Sequence, residues 1–439
     1  MTATTPSETP QRHDPFAALR FRDFRLMVSG SFLAVIAEQM VGVSVGWDLY
    51  ERTHKPFILG LVGLVEIVPV LLLALPAGHL ADRRDRKWIV ISAMSAIAAC
   101  VLGLFALALV QGPIVAVFAL LFGIGVARSF QGPAFSSLSA QVVPPTHYAS
   151  AATWSSGAWQ TSGILGPALG GLLIAVLGGA AGVYAIAGGI LLLVAFLFFF
   201  MKPRVIERST EPMNVASLLA GAQFIRRTPV ILGAITLDMF AVLLGGATAL
   251  LPIFALDILQ VGAPGLGWLR AAPAVGALVA AIVMTTRPPF QHAGRTLLTV
   301  VAGFGLATIV FGLSRNFYLS LAMLALLGGL DNISVIIRST LFLTRTPDIL
   351  RGRVSAVHSV FIGISNELGA FESGLAAALL GTVGAVVGGG IGTILIVGLM
   401  AVYWPEIRNL KRLDTHQPET APAPIPTPSP THLPDRSET

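Results

Sequence analysis

Gly78-His-Leu-Ala-Asp-Arg-Arg-Asp-Arg-Lys87 is a short charged interruption between two apolar stretches, and those flanks decide the fold. Residues 57–80 before it and 88–110 after it are each long enough to cross a bilayer, which takes about 20 largely apolar residues. The rest of the chain repeats this arrangement. Of its 439 residues 54% are hydrophobic and only 11% are charged, whereas a soluble domain carries about a quarter charged residues. That composition excludes a soluble enzyme, a disordered scaffold and a coiled coil. A lone cysteine, Cys100, excludes an internal disulfide and a cysteine-based metal site.

Walking outward from the loop, twelve apolar stretches emerge: 24–49, 57–80, 88–110, 114–138, 150–177, 182–201, 229–256, 262–286, 295–313, 317–343, 354–380 and 385–404. None shows the period-two alternation of a membrane barrel. The pattern predicts an all-α polytopic membrane protein with two six-helix halves, 24–201 and 229–404, after a cytoplasmic segment 1–23. Between the halves, in linker 202–228, Val215, Leu218, Leu219, Ala222 and Ile225 recur at helical spacing and predict an amphipathic helix on the membrane surface. The Pro-rich composition of 405–439 predicts a disordered cytoplasmic tail.

The net charge of +6 is a topology signal. With both termini cytoplasmic, 22 of the 28 Lys and Arg fall on that side. Three (Arg52, Lys55, Arg315) fall on the other, and three (Arg128, Arg270, Arg338) lie within spans. The positive-inside rule accounts for this split without a nucleic-acid partner. Trp47 and Tyr50 are expected in an outer aromatic belt, and His79 and His358 at the surface.

Ionisable side chains inside spans are expensive and mark cavities or ion paths. They are Glu38, Glu66, Arg128, Asp238, Arg270, Asp331, Arg338, Glu367 and Glu372, and they avoid the third, sixth, ninth and twelfth spans. All but Arg270 are candidates for a proton or substrate cavity; Arg270, three residues before Pro273, reads as an anchor near the outer interface. Aligning Pro145 with Pro347 sets Arg128 opposite Asp331, a possible pair across the halves. No His, Asp and Glu cluster has metal-ligand spacing, and Gly388-Gly-Gly390 lacks a P-loop lysine. The chain is therefore expected to be no enzyme, to hold no cofactor or metal, and to draw energy from a gradient.

The opening stretch resembles the G-x-L-A-D-R-x-x-R-[KR] loop of the major facilitator superfamily. The resemblance implies that Gly78, Asp82, Arg83, Arg86 and Lys87 gate the cytoplasmic side. Asp82 is expected to cap the following helix, and the three basic residues to face lipid headgroups. Arg128-Ser-Phe-Gln-Gly132 resembles the R-x-x-Q-G motif of proton-coupled members. The run Ser162-Gly-Ile-Leu-Gly-Pro-Ala-Leu-Gly-Gly171 resembles the motif of drug:proton antiporters, with Ser162 at its first glycine and Gly166, Pro167, Gly170 and Gly171 retained. Phe21–Arg25, Leu251–Asp257, Gly265–Pro273 and Arg351–Val354 extend the similarity to the branch that includes enterobactin exporters, over about residues 16–405.

The resemblance implies proton-coupled efflux of an amphipathic or hydrophobic small molecule, siderophore- or drug-like, by alternating access. The setting implied is a bacterial plasma membrane, with the bilayer, protons and cargo as the monomer's partners. The alternatives are a lysophospholipid flippase or importer, and a transport-dead sensor whose partner docks on the tail.

Overall fold

The computed structural model describes residue 14 and residues 16–139, 141–204, 215–288 and 290–411. The remainder of the N-terminal segment, linker residues 205–214 and the Pro-rich run from 412 lie outside the described residues. No strand occurs among those described.

The first six long helices are α1 (Arg22–Thr53), α2 (Pro56–Arg83), α3 (Arg86–Leu109), α4 (Ile114–Ser139), α5 (Tyr148–Leu177) and α6 (Ala180–Phe199). A shorter α7 (Val215–Arg227) is followed by α8 (Pro229–Leu244), α9 (Leu251–Ile253), α10 (Gly262–Thr285), α11 (Ala293–Leu313), α12 (Phe317–Arg345), α13 (Asp348–Leu380), α14 (Thr382–Tyr403) and α15 (Pro405–Arg408). Among the described residues, eleven helical stretches are long and apolar enough to cross a membrane. The α13 helix is not one of them. It has the length, at 33 residues, but Arg351, Arg353, Glu367 and Glu372 dilute its apolar character.

Within the first half α1 packs on α5 and α6, α3 on α4 and α6, and α2 on α4. Within the second, α10 packs on α12, α11 on α12 and α14, and α13 on α8 and α14. Two large contacts join these groups, α5 with α10 and α2 with α13. Small residues make them possible. A Cβ on Gly171 would lie 2.4 Å from the Ala263 carbonyl and 2.7 Å from Gly267 Cα, and one on Gly60 would lie 3.0 Å from Gly374 Cα.

Three expectations change here. The seventh apolar stretch is not one continuous helix. It breaks at Gly245–Gly246, passes through a 3-10 turn at Ala247–Leu250 and α9, and ends in a π-helical turn at Phe254–Ile258. Gly246 sits there against the Gly369 carbonyl of α13, where a Cβ would lie only 2.5 Å away. Irregular backbone of this kind is tolerated at membrane depth where it is buried in protein or lines a cavity.

The α7 helix buries Gly221 and Ile225 against α13, leaving Leu219 and Ala222 exposed, so its contact face is rotated from the one the apolar spacing indicated. The third change is at 405–411, assigned from sequence to the tail. The Lys411 and Leu410 carbonyls accept bonds from the Ala293 and Gly294 amides at the start of α11 (2.9 and 3.0 Å). They satisfy donors that a helix N-terminus otherwise leaves open.

Candidate functional site

A cavity of about 330 Å³ lies among α1, α2, α4, α10, α13 and the broken segment after α8. Its charged lining is Glu38, Glu66, Arg128, Arg270 and Glu367, with Gln39 and Asn366 beside them. Close packing places the first group. Gly125 lets α4 press on α2, where a Cβ would meet the Glu66 carbonyl and Pro69 at 2.6 Å. One turn on, Arg128 then reaches Glu66, with Nη1 2.6 Å from Oε2, and Glu38 of α1, with Nη2 3.4 Å from Oε2. All three residues belong to the first half, and they form one ion-paired triad.

The other two charged groups come from the second half. Arg270 lies along α1, its Nη1 3.2 Å from where a Gly42 Cβ would stand and its Nη2 3.8 Å from that of Gly46. Glu367 Oε2 lies 2.9 Å from the position of a Gly63 Cβ on α2. Among the described residues, the ion pairs of the bundle interior are those of Arg52, Arg128 and Arg338, and none includes Arg270 or Glu367. The Arg270 Nε is buried without a hydrogen-bond partner. Three carboxylates therefore face two guanidiniums, one carboxylate in excess.

The two ends of the bundle differ. At the end remote from the chain termini, the far end, the halves are pressed together. Gly171 meets Gly267, Gly60 meets Gly374, the Phe57 and Phe371 rings stand 6.1 Å apart, and the Tyr50 hydroxyl donates to Asp257 across the halves. Toward the terminal end the contact of α5 with α10 loosens, a Cβ on Gly163 standing 3.5 Å from the Ala274 Cβ. Cβ atoms added at Gly78 of α2, Gly157 of α5 or Gly352 and Gly363 of α13 would meet nothing within 4 Å. The cavity is thus shut at the far end, and the helices part toward the terminal end.

Asp238, Asp331 and Arg338 form a second cluster instead of joining the cavity. Arg338, its side chain 3% exposed, pairs with Asp238 of α8, while Asp331 Oδ1 is 3.9 Å from its Nη2. The proposed alignment of Arg128 with Asp331 therefore makes no pair, because Arg128 is held by Glu38 and Glu66 while Asp331 lies beside Arg338 in the other half. His358 is half-buried against the Phe342 ring, 4.5 Å between centroids, rather than at the surface. Glu372 lies outside the cavity lining; Ser373 Oγ is 3.5 Å from its Oε2.

Sequence reasoning placed Arg270 at an interface, and the fold brings it into the cavity. The signal available was the glycine pair Gly42 and Gly46 on α1, whose groove accommodates it. Asp48, also inside the first span, was absent from the candidates; it bonds Arg52 at 2.9 Å. Trp47 and Tyr50 are buried, 8% and 4% exposed, and so form no lipid-facing belt.

In the charged loop, α2 runs on through Arg83, and it is Asp85, not Asp82, that caps the next helix, accepting from the Lys87 amide at 3.0 Å. The Asp82 side chain lies outside the described residues. Lys87 turns inward. Its Nζ donates to the Phe199 and Met201 carbonyls at 2.7 and 2.8 Å, closing the C-terminus of α6 rather than facing headgroups. Arg83 is exposed. The Ser162–Gly171 run packs α5 on α1. Ser162 Oγ donates to the Phe32 carbonyl at 3.1 Å, and a Cβ on Gly166 would lie 2.6 Å from Gln39 Cβ.

The sequence profile of a major facilitator family, described as transmembrane secretion effector, matches residues 13–428. The chain belongs to that family. Enterobactin exporters EntS of Shigella boydii serotype 4 (strain Sb227) and of Escherichia coli (strain K12 / MC4100 / BW2952) are each 26% identical to it over 392 residues, covering 89% of this chain and 93% of the relative. Among solved structures, a bacterial homolog of the human lysosomal transporter Spinster, in an inward-facing and occupied conformation, superposes with a TM-score of 0.71 at 13% identity, covering 90% of this chain and 99% of that one. The nucleoside transporter NupG gives 0.61 at 11% identity, covering 87% and 97%. These likenesses establish the major facilitator fold of a multi-pass membrane protein.

Proposed function

We propose that this family member is a secondary active exporter, moving an amphipathic, siderophore- or drug-like small molecule out of a bacterial cell in exchange for protons. The observation that carries the reading is the interior cavity, lined by three carboxylates and two guanidiniums, shut at one end while the helices part at the other. The cationic excess beside the terminal end supports a cytoplasmic position for that end, and in this reading the conformation loads from inside. Export is favoured by similarity to the enterobactin exporters and by the α5 run that packs on α1.

In this reading α13 is the eleventh span. Residues 24–201 and 229–404 form the two halves, and 202–228 is the linker. Cargo enters from the cytoplasm, the halves rock about the contacts of α5 with α10 and α2 with α13, and the far end opens. A cavity carboxylate takes a proton from outside and releases it inside after return. The excess carboxylate makes that exchange chemically reasonable, because proton and cargo can compete for one negative site.

The test is transport in everted membrane vesicles with an imposed pH gradient, using a panel of catecholate siderophores and lipophilic cationic dyes. Accumulation that collapses with the gradient is the expected result. Gradient-independent fluxes across the whole panel would overturn the antiport reading, and retention of export by a chain ending near residue 411 would exclude a tail-dependent sensor.

A further inference from the structure

Taking the exporter reading as its basis, we propose that Glu367 carries the coupled proton, and that its seat against Gly63 lets the far end close only when the carboxyl is protonated. Three observations carry this. Glu38 and Glu66 share Arg128 and belong with it to one half, so rocking moves them as a unit without changing their pairing. Glu367 has no ion pair among the described residues. It also sits where the halves meet, with Oε2 and its own carbonyl oxygen each 2.9 Å from the position of a Gly63 Cβ.

The surroundings define the electrostatics of the seat. Glu66 faces it from α2, Glu38 from α1, Arg128 from α4 and Arg270 from α10. The contact of α8 is made through Val242 and Leu243 against Gly369, which lies about 200° around α13 from Glu367, so Asp238 is turned away. The Ala247–Leu250 turn contains no ionisable residue, Tyr403 of α14 and Arg226 and Arg227 of α7 are exposed at the terminal end, and on α12 Arg338 is engaged with Asp238 and near Asp331. Closing the far end therefore brings Glu367 toward a triad that already holds two carboxylates for one guanidinium. Arg270 offsets one charge without forming an ion pair, so with Glu367 ionised the closed cavity holds three carboxylates against two guanidiniums, and with Glu367 protonated the charges balance.

The cycle follows. With the far end open, α13 withdraws from α2 and Glu367 takes a proton from the outside water. The neutral side chain permits closure and return, and the proton leaves to the cytoplasm through the open terminal end as cargo loads. Linkage sets the sign. The state that binds the extra proton is favoured as pH falls, so acid favours far-end closure.

The experiment uses the full chain, with Cys100→Ser, and spin labels on Lys55→Cys and Leu380→Cys, two exposed positions flanking the contact of α2 with α13. Their distance is read by double electron–electron resonance across pH in nanodiscs of phosphatidylethanolamine and phosphatidylglycerol, without cargo. The protein should show a short distance in acid and a growing long-distance population in alkali. Glu367→Gln should lose that response and stay short, Glu367→Asp should keep it, and Glu372→Gln should keep it. Gly63→Ala, which fills the seat, should favour the long distance at every pH. A Glu367→Gln variant that still opens in alkali overturns the assignment while leaving the exporter reading standing. A native sequence with no pH response overturns the assignment, and vesicle transport then decides separately whether proton coupling survives.

Discussion

Gly171→Ala is the sharpest test of how the far end closes. The substitution adds one methyl group, and the structure says what it meets: the Ala263 carbonyl oxygen at 2.4 Å, Gly267 Cα at 2.7 Å and Gly267 N at 2.8 Å. Ordinary contact needs about 3.5 Å, so α5 and α10 must part by roughly 1 Å. All three obstacles are backbone, and no side-chain rotation relieves them. Overpacking of this kind costs about 1–3 kcal/mol, and it is felt only in the state in which the two helices touch. The far-end-closed population should therefore fall about 5- to 150-fold relative to the open one.

The assay is labelling of Thr248→Cys, a cavity-lining position behind the far-end contact, by an impermeant maleimide in right-side-out cells, with Cys100→Ser as background, compared with and without Gly171→Ala. Labelling should accelerate in the double variant. The paired control is Gly157→Ala on the same helix, whose methyl group meets nothing within 4 Å here and should leave the labelling rate unchanged. Equal labelling for Gly171→Ala and the parent would refute the reasoning that the α5 and α10 contact holds the far end shut.

Tyr50→Phe removes the hydrogen bond that joins α1 to Asp257 across the halves. A bond to a charged group is worth about 1.5–3 kcal/mol, so the same labelling should rise, by less than for Gly171→Ala if Asp257 finds water. Arg128→Met leaves Glu38 and Glu66 facing one cavity without their shared cation; pH-gradient-driven export should fall by at least an order of magnitude while the purified protein remains folded by circular dichroism. Asp238→Asn leaves the buried Arg338 with only Asp331 at 3.9 Å. A cost of about 3–5 kcal/mol is expected for breaking such a pair, measured as a lower unfolding temperature, and Asp238→Asn with Arg338→Met should recover most of it. Lys87→Met strips two carbonyl bonds from the end of α6 and should cost about 1 kcal/mol in the same measurement, with no change in cargo selectivity.

Much of the site was visible in the sequence because membrane burial makes charge conspicuous. Glu38, Glu66, Arg128 and Glu367 stand out against apolar neighbours, and the fold places all four on one cavity. Arg270 was misjudged because its proline neighbour suggested an interface, whereas its position depends on the groove of Gly42 and Gly46 on a helix more than 200 residues earlier. Asp82 and Asp85 are three residues apart in one charged run, and only the true end of α2 decides which of them caps. Lys87 looked like a headgroup ligand because its partners, the Phe199 and Met201 carbonyls, are backbone atoms of a distant helix end and leave no trace in side-chain pattern.

Sequence alone determined the class of the molecule, because spans, loops and the sidedness of Lys and Arg are local quantities set by the cost of placing polar groups in hydrocarbon. It also determined which helices carry charge. The tertiary structure decided the pairing: Arg128 with Glu38 and Glu66, Arg338 with Asp238, and Arg270 and Glu367 with neither. It also decided which end of the bundle is shut. Both depend on how closely helices far apart in the chain approach one another, and that distance is set by small residues meeting across an interface, a relation that no single stretch of sequence contains.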